Sequence, residues 1–349
     1  MTDKIKVIIV DDSALVRQML TQMLSSDPQI EVVAACPDPL VARQKIKELN
    51  PDVITLDIEM PNMDGLSFLD KIMRLRPMPV VMISSLTQKG AEITLQALEM
   101  GAVDFVGKPT TDLRHGLGEK SEEIVSKVKA AARARVHGHR AEAAPARVIA
   151  PAASTGYKSA DRVVAIGSST GGVEALSRII STLPADCPPI VITQHMPGNF
   201  TSSFAQRLDR QSQLSVKEAA DGDRLVAGHA YLAPGNFHLE VVRAAGGWAC
   251  KVYDGEPVSG HRPSVDVLFR SVAASVGDKA TGVILTGMGR DGAEGLKLMR
   301  DAGAHTVGQD EATCVVYGMP RAAAQIGAVK HEMPLGNIAG EILKSCQKH

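Results

Sequence analysis

Ile5-Lys6-Val7-Ile8-Ile9-Val10-Asp11-Asp12-Ser13 is a short apolar run closed by two adjacent acids and a hydroxyl residue. The run reads as a strand. Ser13 reads as the start of a helix, because Leu15, Val16, Met19, Leu20, Met23 and Leu24 recur behind it at helical spacing. The same unit then repeats. Glu31 to Ala35, Val53 to Leu56, Val80 to Ile83 and Val103 to Val106 are further apolar runs separated by amphipathic stretches, which is the rhythm of a parallel α/β sheet.

In a sheet with the common doubly wound strand order, Asp11 and Asp12 after the first strand and Asp57 after the third face one crevice. Three carboxylates there repel one another unless a cation joins them. A few hard oxygen ligands, with space left for water and a phosphate, suit Mg²⁺ better than an all-protein Ca²⁺ cage. Ser84, ending the fourth strand, and Lys108, following the fifth, are expected to add a hydroxyl and an ammonium to the same pocket. Together these groups suit an acceptor carboxylate that takes a phosphoryl group while metal and lysine neutralise its oxygens.

From about Lys127 the pattern gives way to Ala, Arg, Gly, His and Pro, as in Ala131 to His139 and then Pro145 to Gly156, the composition of a solvated tether. A second α/β rhythm follows, with Arg162 to Ile166, Ile190 to Thr193, a strand-rich middle at Tyr231 to Val242 and Ala249 to Tyr253, and Gly282 to Thr286. The first of these runs passes into Gly167-Ser168-Ser169-Thr170-Gly171-Gly172 and on into Val173, Ala175, Leu176 and Ile179 at helical spacing. Strand, tight turn and helix with a Gly-x-Ser-x-Gly core lift the central hydroxyl beside helix amides, making Ser169 the candidate nucleophile and Ser168 the second choice. A dinucleotide-binding loop fits less well. The spacing is not Gly-x-Gly-x-x-Gly, and the next strand ends in Thr193-Gln194-His195 where a ribose would want an acid.

His195 and Asp291 also leave the carboxyl ends of expected strands, so they can meet Ser169: the imidazole as base, the carboxylate as its orienting partner. His229, His238 and His261 remain rivals for the base. The chain order Ser, His, Asp differs from the Ser, Asp, His order of α/β-hydrolases, so that fold does not follow from the serine motif.

Composition narrows the classes. The 349 residues allow two domains; Lys plus Arg total 38 against 39 Asp plus Glu, a net charge of -1, so no global field favours nucleic acid or an anionic membrane. With 44% hydrophobic and 22% charged residues the chain is of globular type. Its opening apolar run is too short for a signal core or a membrane span, giving a cytoplasmic expectation. Five scattered cysteines, with no Cys-x-x-Cys pair, read as reduced thiols and suggest neither a disulfide framework nor a zinc site.

Val10-Asp11-Asp12-Ser13, Leu56-Asp57-Ile58-Glu59-Met60-Pro61-Asn62-Met63-Asp64-Gly65-Leu66 and Lys108-Pro109 resemble response-regulator receiver domains over the first third of the chain. That resemblance implies phosphorylation of Asp57 by a histidine kinase and Mg²⁺ binding by Asp11, Asp12 and Asp57. It also implies switch roles for Ser84 and Phe105 together with Lys108. Ile166 to Gly172, Thr193 to Pro197, Tyr231 to Gly235, Arg262 to Asp266 and Thr286 to Ala293 look like the catalytic domain of chemotaxis-specific protein-glutamate methylesterases. The family's catalytic serine, histidine and aspartate fall on Ser169, His195 and Asp291, and its usual Gly-Ala-Ser-Thr-Gly reads Gly-Ser-Ser-Thr-Gly here.

The resemblance implies an α/β protein of two domains, a flavodoxin-like receiver and then a doubly wound methylesterase domain. Each is expected to be a mainly parallel sheet with helices on both faces. The expected bounds are 1–126 for the receiver, 127–160 for a flexible linker and 161–349 for the catalytic domain. The implied reaction is phosphorylation-activated hydrolysis of glutamate γ-methyl esters on chemoreceptors, with release of methanol and with deamidation of receptor glutamines, and with no cofactor for the ester chemistry. Membrane contact is expected only through the receptors. Two alternatives belong to other classes: a two-component transcription regulator, against which the long α/β second domain without a basic recognition helix argues, and a non-catalytic signalling adaptor.

Overall fold

Strands buried on both faces are mostly apolar, and every residue of Val53–Asp57 and Val80–Ser84 is buried, with Thr55 inside the first run and the polar residues Asp57 and Ser84 at the carboxyl ends. The computed structural model describes residues 4–61, 63–85, 87–108, 117–136 and 161–347. They fall into two compact units, divided between positions 144 and 145. Asn62, Pro109 and positions 137–160 of the expected linker lie outside the described residues.

The first unit carries β1 (Ile5–Val10), β2 (Ile30–Cys36), β3 (Val53–Asp57), β4 (Val80–Ser84) and β5 (Asp104–Gly107). Between them run α1 (Ala14–Ser25), α2 (Pro39–Leu49), α3 (Gly65–Leu75) and α4 (Gln88–Glu99), and α5 (Leu117–Ala132) follows. Side-chain caps start the helices where the sequence turns polar: Ser13 Oγ accepts from the Val16 amide at 3.4 Å, and Asp64 accepts from Ser67 at 2.7 Å. The sheet is parallel in the order β2-β1-β3-β4-β5. β1 and β3 are therefore neighbours, which brings Asp11 and Asp57 to one edge. The stretch expected to begin the linker at Lys127 is still helix. α5 continues to Ala132 because Val128, Ala130 and Ala131 are buried and Lys129 pairs with Asp27 at 2.9 Å.

The second unit has the strands β6 (Val163–Ser168), β7 (Ile190–Gln194), β8 (Ser215–Glu218), β9 (His229–Leu232), β10 (His238–Ala244), β11 (Gly247–Tyr253), β12 (Ala280–Ile284), β13 (His305–Gln309) and β14 (His331–Met333). Its helices are α6 (Gly172–Ile180), α7 (Gly198–Gln211), α8 (Val265–Ser275), α9 (Ala293–Asp301), α10 (Met319–Gln325) and α11 (Leu335–Gln347). Seven strands form a parallel sheet in the order β14-β13-β12-β6-β7-β9-β8. The chain leaves β6 toward β7 and later returns on its other side with β12, so a crevice opens at the carboxyl ends of these three strands.

The strand-rich middle divides. β9 joins the main sheet, while β10 and β11 pair antiparallel as a separate hairpin. Pro234-Gly235-Asn236, with Asn236 at φ 67°, breaks the apolar run between them. The hairpin packs on α8: Ser271 Oγ accepts from the Val241 amide at 2.9 Å, and Trp248 Nε1 donates to the Ser275 carbonyl at 3.0 Å. Those contacts fix α8, whose amino end enters the crevice. All five cysteines are unpaired, and burial pushes the Cys187 and Cys250 thiols up to about 12. No helix among the described residues is long and apolar enough to cross a membrane.

Candidate active site and phosphoacceptor pocket

In the second unit Ser168 and Ser169 leave β6, His195 leaves β7, and Asp291 lies beyond β12 on the adjacent side. The two serines are not equivalent. Ser168 is fully buried and its hydroxyl donates to Gln194 Oε1 at 2.7 Å, whereas Ser169 is only half-buried at the turn. Gly171 follows at φ 78°, and a Cβ there would come within 2.6 Å of Val315 as well as being strained, so the turn requires glycine. α6 begins immediately after it, with its first amides beside Ser169.

His195 Nε2 lies 2.8 Å from Asp291 Oδ2. Asp291 accepts further hydrogen bonds from the Val265 amide at 2.7 Å, the Ser264 hydroxyl at 2.8 Å and the Asp266 amide at 3.1 Å. Those donors are the start of α8, so the carboxylate sits where exposed amides and the helix dipole favour an anion. Burial alone would raise the Asp291 carboxyl. The bonds from His195, Val265 and Ser264 outweigh it, and the group is held below the usual carboxylate range. An ionised Asp291 accepts only, so Nε2 carries the imidazole proton and Nδ1 keeps the lone pair. Nδ1 is buried with no hydrogen-bond partner, which leaves it the basic atom of the site.

The rival histidines are engaged elsewhere. His238 Nε2 donates to the Glu256 carbonyl at 2.9 Å while Nδ1 accepts from the Ser264 amide, and His229 Nδ1 lies 3.1 Å from the Ala227 carbonyl. His261 does reach the site, as a ring stacked on His195 with centroids 3.7 Å apart. Nothing in Thr193-Gln194-His195 marks a role for Gln194, and the structure gives it one. Its Nε2 donates to the carbonyls of Ser169 at 2.9 Å and His195 at 3.1 Å, tying the two strand ends together. Gln194→Leu is expected to cost about 1–3 kcal/mol of stability by removing the partner of the Ser168 hydroxyl and the Gln194 bond to the His195 carbonyl, while the Ser169 carbonyl keeps the Gly172 amide. It should also lower turnover about tenfold through kcat with KM nearly unchanged. Denaturant titration beside steady-state kinetics checks both.

The first unit holds a separate site. Asp11 and Asp57 are fully buried and Asp12 is exposed; one carboxylate oxygen from each lies within 4.8 Å of the others. Lys108 Nζ is 2.8 Å from Asp57 Oδ1 and 4.0 Å from Asp11 Oδ2. Burial pushes Asp57 up to about 6, against the Lys108 hydrogen bond and with help from the Asp11 charge, and burial likewise raises Asp11. Burial would lower Lys108, but Asp57, Asp11 and Asp12 outweigh it and raise the ammonium. Asp11 Oδ2 and Asp57 Oδ2 have no hydrogen-bond partner. Two buried, orphaned carboxylate oxygens at such spacing fit a hard divalent cation, which would satisfy both and relieve their repulsion.

Ser84 and Phe105 stand apart from that cluster. The Ser84 hydroxyl, expected in the pocket, bonds instead to α4 and its entry: Oγ is 2.6 Å from Thr94 Oγ1 and donates to the Ser85 carbonyl at 3.0 Å. Phe105 is buried in β5, with Lys127 Nζ of α5 at 5.0 Å from its ring centroid. The Ser84 hydroxyl thus contacts α4, and the Phe105 ring contacts α5.

A phosphoacceptor-type pocket in one unit and a serine, histidine and aspartate at the carboxyl end of a doubly wound sheet in the other define a receiver joined to a hydrolase domain. Family models agree: residues 7–115 match the response regulator receiver domain, and residues 164–342 match CheB methylesterase. The chain belongs to the family of protein-glutamate methylesterase/protein-glutamine glutaminase proteins. The protein-glutamate methylesterase/protein-glutamine glutaminase 1 of Caulobacter vibrioides is 61% identical, with 97% of each chain covered. A protein of the same name from Xanthomonas campestris is 55% identical over 97% of this chain and 96% of its own. The crystal structure of the Thermotoga maritima CheB methylesterase catalytic domain superposes with a TM-score of 0.51 and 39% identity, covering 52% of this chain and 97% of that one.

Proposed function

We propose that this protein hydrolyses glutamate γ-methyl esters on chemoreceptors and deamidates receptor glutamines, and that phosphorylation of Asp57 activates it. The observation that carries the ester chemistry is the orientation of His195: Asp291 holds Nε2–H, and Nδ1 is buried and unpartnered, with its lone pair left to take a proton. Ser169 Oγ attacks the ester carbonyl carbon as Nδ1 takes its proton. Asp291 stabilises the imidazolium. The tetrahedral oxyanion is met by amides of the first turn of α6 beyond Gly172; the Gly172 amide is spent on the Ser169 carbonyl at 2.7 Å and the Ser169 amide on the Thr286 carbonyl at 3.0 Å. Collapse breaks the C–O bond and returns the proton from Nδ1 to the departing methoxide, giving methanol. Water then attacks the acyl-serine with His195 again as base, yielding glutamate and free Ser169. An amide substrate follows the same path with ammonia as leaving group.

For the receiver, Asp57 is the phosphoacceptor and a histidine kinase the donor. Asp11, Asp12 and Asp57 would hold Mg²⁺, which when bound neutralises phosphoryl oxygens. Lys108 pairs with the remaining charge, and rearrangement of Ser84 and Phe105 passes the change to α4 and α5. Each tenfold of activation needs only about 1.4 kcal/mol of differential stabilisation. Asp57→Asn is expected to keep basal hydrolysis and lose its acceleration by a small-molecule phosphodonor with Mg²⁺, measured as methanol release. Equal acceleration of the variant and the wild-type chain would place the switch elsewhere.

A further inference from the structure

We propose that His305, His331 and Glu341 form a binding site for a divalent transition-metal ion of the Zn²⁺ class, which clamps the β13–β14 edge of the second sheet to α11. One ligand atom from each of the three side chains lies within 4.8 Å of the others. His305 opens β13, His331 opens β14, and Glu341 lies in α11. The group therefore stands at the amino end of a parallel sheet whose carboxyl ends hold Ser169, His195 and Asp291, and it takes no part in the hydrolysis.

Two features point to a cation in addition to the ion pair. His305 Nε2 is 2.8 Å from Glu341 Oε1, an ion-pair contact too bent for a well-formed hydrogen bond, so this buried nitrogen is left incompletely satisfied. The side chain of His305 is only 10% exposed, leaving that nitrogen without access to bulk water as a substitute. His331 stacks against the same ring, centroids 4.8 Å apart, and adds a second imidazole to the convergence. Two imidazoles and one carboxylate are the donor set that Zn²⁺ and its neighbours accept, with a fourth position open to water. Lys344 Nζ is 3.8 Å from the other Glu341 oxygen, Oε2, and is 68% exposed, so it can swing into solvent as the ion enters.

The test uses the full chain in excess Mg²⁺, which occupies the receiver carboxylates, titrated with Zn²⁺ by calorimetry and with Co²⁺ by its visible absorption. The wild-type chain is expected to bind one ion at this site with a d–d spectrum of nitrogen–oxygen ligation. Glu341→Gln keeps a hydrogen-bonding group of the same shape but removes the carboxylate, and His331→Gln removes one imidazole. Each should weaken that ion by at least the ~10–100-fold that loss of a mere supporting partner costs, while circular dichroism and esterase activity stay those of wild type. Metal should also raise the unfolding midpoint of wild type and not of the variants. The proposal is overturned if both variants bind Zn²⁺ with wild-type stoichiometry and affinity, which would place any ion at His195 and His261 or elsewhere. It is equally overturned if the wild-type chain binds none at micromolar metal.

Discussion

Ser169→Ala is expected to abolish ester hydrolysis, with kcat falling by about 10⁴–10⁶, the loss seen when a nucleophile is removed from a serine triad. Ser168→Ala, one residue away, is expected to retain turnover within about tenfold. The contrast comes from burial and bonding and not from sequence, in which both serines lie inside the same glycine-bounded turn. Ser168 is sealed under the strand end with its hydroxyl on Gln194, so its loss costs about 1–3 kcal/mol of stability by orphaning a buried amide oxygen. Ser169 is only half-buried at the turn. Single-turnover assays on the two purified variants, with unfolding curves beside them, separate a catalytic loss from a structural one. Inactive Ser168→Ala with active Ser169→Ala would reverse the assignment.

Asp291→Asn is expected to be nearly as damaging, lowering kcat about 10⁴-fold, the cost of the wrong imidazole tautomer in serine proteases. The carboxylate accepts from four donors: His195 Nε2, the Ser264 hydroxyl and the Val265 and Asp266 amides. An asparagine can present one oxygen to that cradle and must turn its NH₂ toward another donor. If the NH₂ takes the place of Oδ1, it faces Ser264 and Asp266 and the Asp266 amide bond at the α8 terminus is lost; in the place of Oδ2 it faces His195 and Val265 together. If it faces His195, Nε2 must accept, the proton moves to Nδ1, and the base is gone. Substrate binding should change little, so the loss appears in kcat, and ¹⁵N shifts of the His195 ring report the tautomer directly. A variant with wild-type kcat would show that the carboxylate does not set the tautomer.

Much of this was legible in the chain because the chemistry lies at strand ends, and strand ends are where a local pattern changes. Asp11, Asp57, Ser169 and His195 each close an apolar run, and Asp291 closes the turn after one. What could not be read was whatever depends on distant segments meeting. The amino end of α8 cradles Asp291, but nothing local to Ser264-Val265-Asp266 marks those donors as reserved for a carboxylate beyond the next strand. Gln194 is one more polar residue beside a histidine until its amide is seen holding two strand ends. His261 stacks on His195 only because the loop before α8 folds over the crevice, and His305, His331 and Glu341 share no motif at all. Ser84 also depends on a distant segment. Its position at a strand end pointed to the carboxylate pocket, while the helix packed beside it supplied Thr94 as a nearer partner. The helical run past Lys127 was hidden in the same way, since alanines that look like tether become core once α5 lies on the sheet.

The central claim is acyl transfer from a methylated glutamate to Ser169 under control of Asp57. Methanol release from methylated chemoreceptor membranes tests it most directly, with the wild-type chain and Ser169→Ala each assayed with and without a small-molecule phosphodonor and Mg²⁺. Release by the wild-type chain, faster with phosphodonor, and none by the alanine variant are expected. Methanol from Ser169→Ala at the wild-type rate, or none from the wild-type chain under any condition, would contradict it.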